Sequence, residues 1–182
     1  DTSNTDIDDQ EDGWVYEFEE SGASGEYDLT ATINITEGAV ADGHVQIRAA
    51  SGASPTLKWT GDFAAITVSG TGYLKIVGMA FSNTTSTSTS CRGVHVEQNG
   101  ALWMGDCTGT TYDSFLYLVK ARKSLVYGCD ITTTGAGDGI EINNGRSQTV
   151  IQNNEIHNCG GYGIKQNSQL GLEALTVFGN II

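Results

Sequence analysis

The stretch Ser124-Leu-Val-Tyr-Gly-Cys-Asp-Ile131 recurs in related form at four other places along the chain. The other copies are Leu74–Phe81, Ala101–Thr108, Thr149–Ile156 and Leu175–Ile182. The fifth position of the five copies holds only glycine or asparagine, namely Gly78, Gly105, Gly128, Asn153 and Gly179. Because these two residue types most readily adopt a positive φ, we predict that the chain bends at the same point of every copy.

A second short strand is predicted some ten residues after each of the first four bends. The segments that indicate it are Gly93–Val96, Phe115–Leu118, Gly139–Ile142 and Gly163–Gln166. Apolar and polar residues alternate in them, which is typical of a strand with one buried face. The bends are 27, 23, 25 and 26 residues apart, a spacing that fits coils with variable loops. We therefore predict an all-β fold, a right-handed parallel β-helix (solenoid) of roughly six to seven coils with an incomplete C-terminal coil.

Stacked coils place equivalent residues one above another, about 4.8 Å apart. Two inward columns are predicted, the first of Val94, Leu116, Ile140 and Ile164, the second of Ile76, Trp103, Val126, Ile151 and Val177. Asn154 and Asn180 share the sixth position of their copies. Their side-chain amides either hydrogen-bond to each other along the turn or belong to two unrelated turns.

The N-terminal third is less regular but compatible with the same fold. Strands are predicted within residues 14–18, 27–35, 45–48, 56–59 and 64–68. Residues 1–13 hold six acidic residues and almost no apolar side chain, so we expect a flexible, solvated arm. Residues 14–182 are then predicted to form a single β-helix domain, which is either a fragment of a larger assembly or open-ended within one.

The charge of the chain limits its partners. The 182 residues carry a net charge of −13, although only 17% of them are charged. Such a surface repels phosphate backbones and anionic lipid headgroups, so we expect neither nucleic-acid binding nor membrane insertion. The rest of the surface is rich in Ser, Thr, Asn and Gly, which favours the extracellular space, a cell surface or a virion surface over the cytoplasm.

The four cysteines, at positions 91, 107, 129 and 159, contain no Cys-x-x-Cys pair and predict no metal site. Small, semi-apolar thiols fill a tight core well. Cys107 and Cys129 are predicted to lie on neighbouring coils, so a disulfide between them is the alternative to two free core thiols.

Three segments carry a family resemblance, and they are Ser54–Gly61, Ile66–Gly70 and Leu74–Phe81. Their order resembles the pectate lyase-like β-helix superfamily over roughly residues 14–182. The resemblance implies an architecture rather than one activity, because this superfamily includes lyases, glycoside hydrolases, esterases, phage tailspikes and non-catalytic surface proteins.

The segment Thr134–Glu141 resembles the Asn-Thr-Asp-Gly-Ile-Asp motif of polygalacturonases, with Asp138 and Glu141 at its two acidic positions. That family also needs two adjacent aspartates one coil later, since hydrolysis uses one carboxyl group as acid and another as base. Residues 159–163 read Cys-Gly-Gly-Tyr-Gly there, so we predict no catalytic residue. A lyase needs clustered acids that hold calcium, and Asp130, Asp138 and Glu141 are the only grouped acids. We expect these three to be solvated turn residues, with bound calcium as the alternative.

His95, Tyr117, Glu141 and Lys165 occupy the same outward position on four successive predicted coils. They would form a row about 14 Å long, from three spacings of about 4.8 Å. Aromatic, acidic and basic groups in such a row suit a sugar chain, through ring stacking and hydrogen bonds to hydroxyl groups. The alternative is an ordinary polar face in which Glu141 and Lys165 form a cross-strand pair.

We therefore expect a structural or adhesive surface protein that contacts carbohydrate and has neither catalytic activity nor a cofactor. The alternative function is a polysaccharide lyase or glycoside hydrolase acting on acidic polysaccharide. An exposed strand edge at residues 181–182 would be sticky. For this end we expect further coils or further copies of the chain, in a homo-oligomer, a filament or a virion assembly.

Overall fold

The computed structural model describes residues 15–19, 25–36, 44–83, 86–143, 148–167 and 174–182. The predicted acidic arm, residues 1–13, lies outside the described residues. Within them the chain forms nineteen short strands and no helix. In this part of the chain, accordingly, no helix is long and apolar enough to cross a membrane.

The strands form three parallel sheets, A, B and C, which the chain visits in turn. Sheet A consists of β1 (Val15–Phe18), β4 (Val45–Ala49), β7 (Tyr73–Val77), β10 (Ala101–Gly105), β13 (Lys123–Tyr127), β16 (Gln148–Gln152) and β19 (Ala174–Phe178). Sheet B consists of β2 (Glu26–Asp28), β5 (Thr56–Lys58), β8 (Ala80–Ser82), β11 (Thr108–Thr111), β14 (Asp130–Thr133) and β17 (Glu155–His157). Sheet C consists of β3 (Ile33–Ile35), β6 (Ile66–Val68), β9 (Val94–Glu97), β12 (Leu116–Val119), β15 (Ile140–Asn143) and β18 (Ile164–Gln166).

Each coil gives one strand to each sheet, and each strand pairs in parallel with its equivalent in the next coil. The parallel β-helix predicted from the repeat is thereby confirmed. From β5 onward, fifteen strands at three per coil give about five turns. This number is slightly below the predicted six to seven coils, because the prediction also counted the opening coils before β5.

The core is a column of apolar side chains enclosed by the three sheets. The predicted inward column on sheet C is confirmed by the strand register, which aligns Val94, Leu116, Ile140 and Ile164. The first three are fully buried, and Ile164, on the last strand of sheet C, is half-buried. Alternation of apolar and polar residues in strands of four residues thus suffices to place the inner face.

The second predicted column is wrong at one residue. The strand register aligns Ile76, Met104, Val126, Ile151 and Val177. Met104 is fully buried, whereas Trp103 is half-buried between two buried neighbours and points to the outer face of sheet A. The predicted inward position of Trp103 is therefore corrected to Met104.

The cause of this error is the position of the bend after β10. The residue with positive φ is Asp106 (φ 51°) and not Gly105, although the other four bends lie where they were predicted. Asp106 adopts this conformation because a short polar side chain tolerates it. Gly105 instead makes room for the next coil, since a Cβ there would lie 2.1 Å from Cζ of the Tyr127 ring.

An amide ladder fixes the turn between sheets A and B. Asn154 Nδ2 donates to Asn180 Oδ1 at 2.9 Å and to the Val126 carbonyl at 3.2 Å. Asn154 Oδ1 accepts from the backbone N–H of Cys129 at 2.9 Å. Because Asn154 is buried, these bonds satisfy backbone groups that water cannot reach. Of the two alternatives for Asn154 and Asn180, the stacked amides are confirmed.

Cys107 and Cys129 occupy the same turn position in the two coils before Asn154. Both are free thiols, and they donate to backbone carbonyls, Cys107 Sγ to Gly105 at 3.2 Å and Cys129 Sγ to Tyr127 at 3.4 Å. Burial raises the pKa of the Cys107 thiol well above its ordinary value, whereas the hydrogen bond from Cys107 lowers the pKa of Cys129. Of the two alternatives for this pair, the structure contains the free core thiols and not the disulfide.

Candidate functional site

The four residues predicted to line one outer face lie in one row. The register of sheet C aligns His95 with Tyr117, Tyr117 with Glu141, and Glu141 with Lys165. All four are half-buried, and the first three lie between inward apolar residues, whereas Lys165 lies between Ile164 and the exposed Gln166. We call this row the sheet C stripe. Its geometry is as expected, and its binding of carbohydrate stays a prediction.

The aromatic end of the stripe is built around Tyr117. The rings of His95 and Tyr117 are 5.1 Å apart between centroids, and the Arg92 guanidinium carbon lies 3.9 Å from the Tyr117 centroid. Arg92 Nε is held by Asp113 Oδ2 at 3.0 Å. Asn143 Nδ2 donates to the Tyr117 hydroxyl at 2.9 Å. This end therefore combines ring surface, a fixed cation and an amide, which are groups that bind sugar hydroxyls.

Arg92 was missed at the sequence level. It stands two residues before β9, at the turn position that Ser114 and Asp138 occupy before β12 and β15. This common position, two residues before a strand of sheet C, could have predicted from the sequence that Arg92, Ser114 and Asp138 lie beside the stripe.

The charged end of the stripe is an ion pair between coils. Lys165 Nζ lies 3.0 Å from Asp138 Oδ2, and Asp138 Oδ1 accepts from the Tyr162 backbone N–H at 2.7 Å. The hydrogen bond with Asp138, together with the nearby charge of Glu141, raises the pKa of Lys165. Asp138 is only 4% exposed, so its expected role as a solvated turn acid is wrong. A buried carboxylate needs such partners, since burial otherwise disfavours its charge.

Glu141 has partners other than Lys165. Its carboxylate accepts from Ser114 Oγ at 3.2 Å and from Asn167 Nδ2 at 2.7 Å. The register places Glu141 beside Lys165, as a cross-strand pair requires, but the lysine ammonium bonds to Asp138 instead. Lys165 is therefore paired with Asp138 from the turn before β15, while Glu141, on β15 itself, is held by Ser114 and Asn167.

Asp130 lies away from the other two acids. It belongs to β14 in sheet B, where its carboxylate contacts His157 Nε2 at 2.9 Å. The expected grouping of Asp130 with Asp138 and Glu141 is therefore wrong. No three of the His, Cys, Asp and Glu side chains in the described ranges cluster closely enough to hold a metal ion. Calcium binding, the alternative interpretation of these acids, stays untested.

Backbone packing fills the place where the polygalacturonase motif would have two aspartates. A Cβ at Gly160 would lie 1.9 Å from the Gly135 carbonyl oxygen of the preceding coil. At Gly161 it would lie 2.3 Å from Asp138 Oδ1. Side chains at 160 and 161 would therefore require the two turns to separate. Close stacking of the two turns therefore explains why residues 160 and 161 are both glycine.

The buried Nε2 atom of the half-buried His95 predicts that the stability of the protein depends on pH. His95 Nε2 is buried and has no hydrogen-bond partner among the described residues. Burial, and after it the positive charge of Arg92, lowers the pKa of His95. Below about pH 6.5, the ordinary histidine pKa, the unfolded chain binds a proton that the folded chain disfavours. We therefore expect the free energy of unfolding to decrease as the pH is lowered through this value, and to decrease less in a His95→Gln variant.

Urea midpoints at about pH 7.5 and about pH 5.5 measure this difference for both proteins. An equal fall in the two proteins would contradict the assignment to His95.

The coiled sheets and the polar stripe on one face define the class, a parallel β-helix protein. The family model described as "Right handed beta helix region" matches residues 56–182. The chain belongs to this family, and the match agrees with the superfamily resemblance at the level of the fold. No curated protein and no solved structure matched the chain.

Proposed function

We propose that this chain is a structural or adhesive β-helix of the extracellular space, a cell surface or a virion surface, and that it binds a sugar chain along the sheet C stripe. Binding without cleavage is part of the proposal. The observation that carries it is the unbroken row from His95 to Lys165 across four coils. Such a row follows the solenoid axis, so it can contact successive units of a polymer.

The chemistry of the stripe supports a carbohydrate ligand. Tyr117 offers ring surface, while Asn143, Asn167 and Glu141 offer amides and carboxylate oxygens beside it. Arg92 and Lys165 are each neutralised by an aspartate, at 3.0 Å in both pairs. Paired charges of this kind bond to hydroxyl groups without demanding a charged ligand.

Exposed apolar residues at β19 and after it support the proposed contact with further copies of the chain. Val177, Phe178, Ile181 and Ile182 are 43–70% exposed there. Equivalent residues in the preceding coils are covered, as at Ile151 and Ile156. An apolar strand edge of this kind associates readily with another strand.

The test is a Tyr117→Ala variant on a glycan array, followed by titration of the sugars that bind. We expect about tenfold weaker binding, because loss of a stacked ring costs about 1.4 kcal/mol. The control is Thr110→Ala, which removes an outward side chain from sheet B and should leave the affinity unchanged.

Two results would oppose the proposal. Binding that is equal in the wild type and in Tyr117→Ala would remove the stripe as the site. Cleavage of an acidic polysaccharide that disappears in Asp138→Ala or Lys165→Ala would favour the alternative, a lyase or hydrolase.

A further inference from the structure

We propose a second binding site on the outer face of sheet A, where an anionic sugar chain places its rings on Trp103 and Tyr127 and its acidic groups near Lys75. Lys75, Trp103 and Tyr127, with Arg122 and Lys123 at the edge, are called the sheet A platform. It goes beyond the proposed function, because it lies on another sheet from the stripe and shares no residue with it.

The aromatic part of the platform exists because β10 ends one residue later than the repeat predicts. Trp103 consequently points outward, and its ring lies 5.7 Å from the Tyr127 ring between centroids, with 28° between the planes. Lys75 Nζ lies 3.9 Å from the centroid of the Trp103 ring. Two nearly parallel rings and an ammonium group are thus held together on one outer face.

Gly105 allows the Tyr127 ring to lie flat. Since a Cβ at Gly105 would come within 2.1–2.4 Å of three atoms of the Tyr127 side chain, the ring rests directly on the β10 backbone. One face of the ring is therefore covered by its own sheet. Tyr127 is only half-buried, so part of its ring remains accessible for stacking on a sugar ring.

The charge of this face is opposite to that of the chain. From β4 to β19 the outward positions of sheet A carry no acidic residue in the described ranges, although the chain has 22 acidic and nine basic residues. Four of those nine lie on the face or in the turn that leads into β13, and they are Lys75, Lys120, Arg122 and Lys123. A fifth, Arg48, is paired with Glu17 of β1 at 2.6 Å. The nearest acid to the rings is Asp106, at the corner between sheets A and B. A cationic face on an acidic chain selects an anionic ligand.

A second copy of the chain fits this face less well. A two-fold contact would bring the same cationic surface against itself, so that lysines of one copy face lysines of the other. Like charges in such contacts are unfavourable. An anionic sugar chain instead satisfies the ammonium groups and the rings together, and the Gln148 and Gln152 side chains on the next strand of the sheet add hydrogen-bonding groups.

The test is calorimetric titration of the full chain with polygalacturonate, with dextran sulfate, and with a neutral β-glucan. We expect one or both anionic polymers to bind, more weakly as salt is raised, since screening weakens contacts between exposed charges. Carboxylated and sulfated ligands are separated by the first two probes. The neutral polymer should not bind the platform.

Variants locate the binding. Trp103→Ala and Tyr127→Ala should each weaken binding of the anionic polymer by about tenfold. Lys75→Gln should weaken it several-fold and reduce its salt dependence. Lys75 is half-buried and contacts no core side chain through its ammonium group, so this variant tests the site even where Trp103→Ala fails to fold. Thr110→Ala, on the outer face of sheet B, should leave the affinity for the anionic polymer unchanged.

Three outcomes would overturn the proposal. The first is the absence of binding to either anionic polymer. The second is binding that Tyr117→Ala removes and the three sheet A variants retain, which would support the sheet C stripe instead. The third is a change in self-association of Trp103→Ala in sedimentation experiments, without polymer binding to the wild type, which would make this face a contact between copies.

Discussion

An Asn154→Ala variant is expected to lose about 4 kcal/mol of stability. The substitution leaves the Cys129 N–H and the Val126 carbonyl without the partners they have at 2.9 Å and 3.2 Å. Each orphaned buried polar group costs about 2 kcal/mol, because water cannot replace the amide. The urea midpoint, followed by circular dichroism at constant pH, measures the loss.

The matched control is Asn180→Ala, at the same turn position one coil later. Asn180 donates to the Ile151 carbonyl at 3.0 Å and accepts from the backbone N–H and from Nδ2 of Asn154 at 3.0 Å and 2.9 Å, but it is itself only half-buried. Water can reach this turn, so a loss of about 1 kcal/mol is expected. If the two variants lost the same amount of stability, burial of the side chain would not explain the contribution of the ladder.

A Gly160→Ala variant is expected to lose about 3 kcal/mol of stability. The new Cβ would lie 1.9 Å from the Gly135 carbonyl oxygen and 3.0 Å from Ala136 Cα. These are backbone atoms, so no side-chain rotation relieves the contact, and the two stacked turns must move apart. Thermal or urea unfolding of the variant measures the cost.

Gly52→Ala is the comparison for Gly160→Ala. No atom lies within 4 Å of a Cβ at Gly52, but φ there is +80°, so only backbone strain of about 1 kcal/mol is expected. If Gly160→Ala cost no more than Gly52→Ala, the close stacking of the turns would be in doubt. In that case close stacking would no longer explain why residues 160 and 161 are glycines and not aspartates.

The position of the candidate site on sheet C could be predicted, but its contacts could not. Alternation within β9, β12, β15 and β18 separates inward from outward residues, and the repeated bends fix the register between coils. The choice of Asp138 over Glu141 as the partner of Lys165 depends on how a turn of one coil faces the strand of the next. The burial of Asp138 arises in the same way, since residues from another coil cover it.

The strands of sheets A and C, four of the five bends and the inward column on sheet C can be read from the sequence, because they follow from local alternation and from residues that accept positive φ. The end of β10, in contrast, depends on contacts between coils. Gly105 and Asp106 can both bend the chain, so local preference does not choose between them. The Tyr127 ring of the next coil needs the space above residue 105, which keeps the glycine inside the strand and moves the bend to Asp106. A shift of the bend by one residue exchanges the two faces of the strand. The same contact therefore places Trp103 on the outer surface, where the sequence had predicted it in the core.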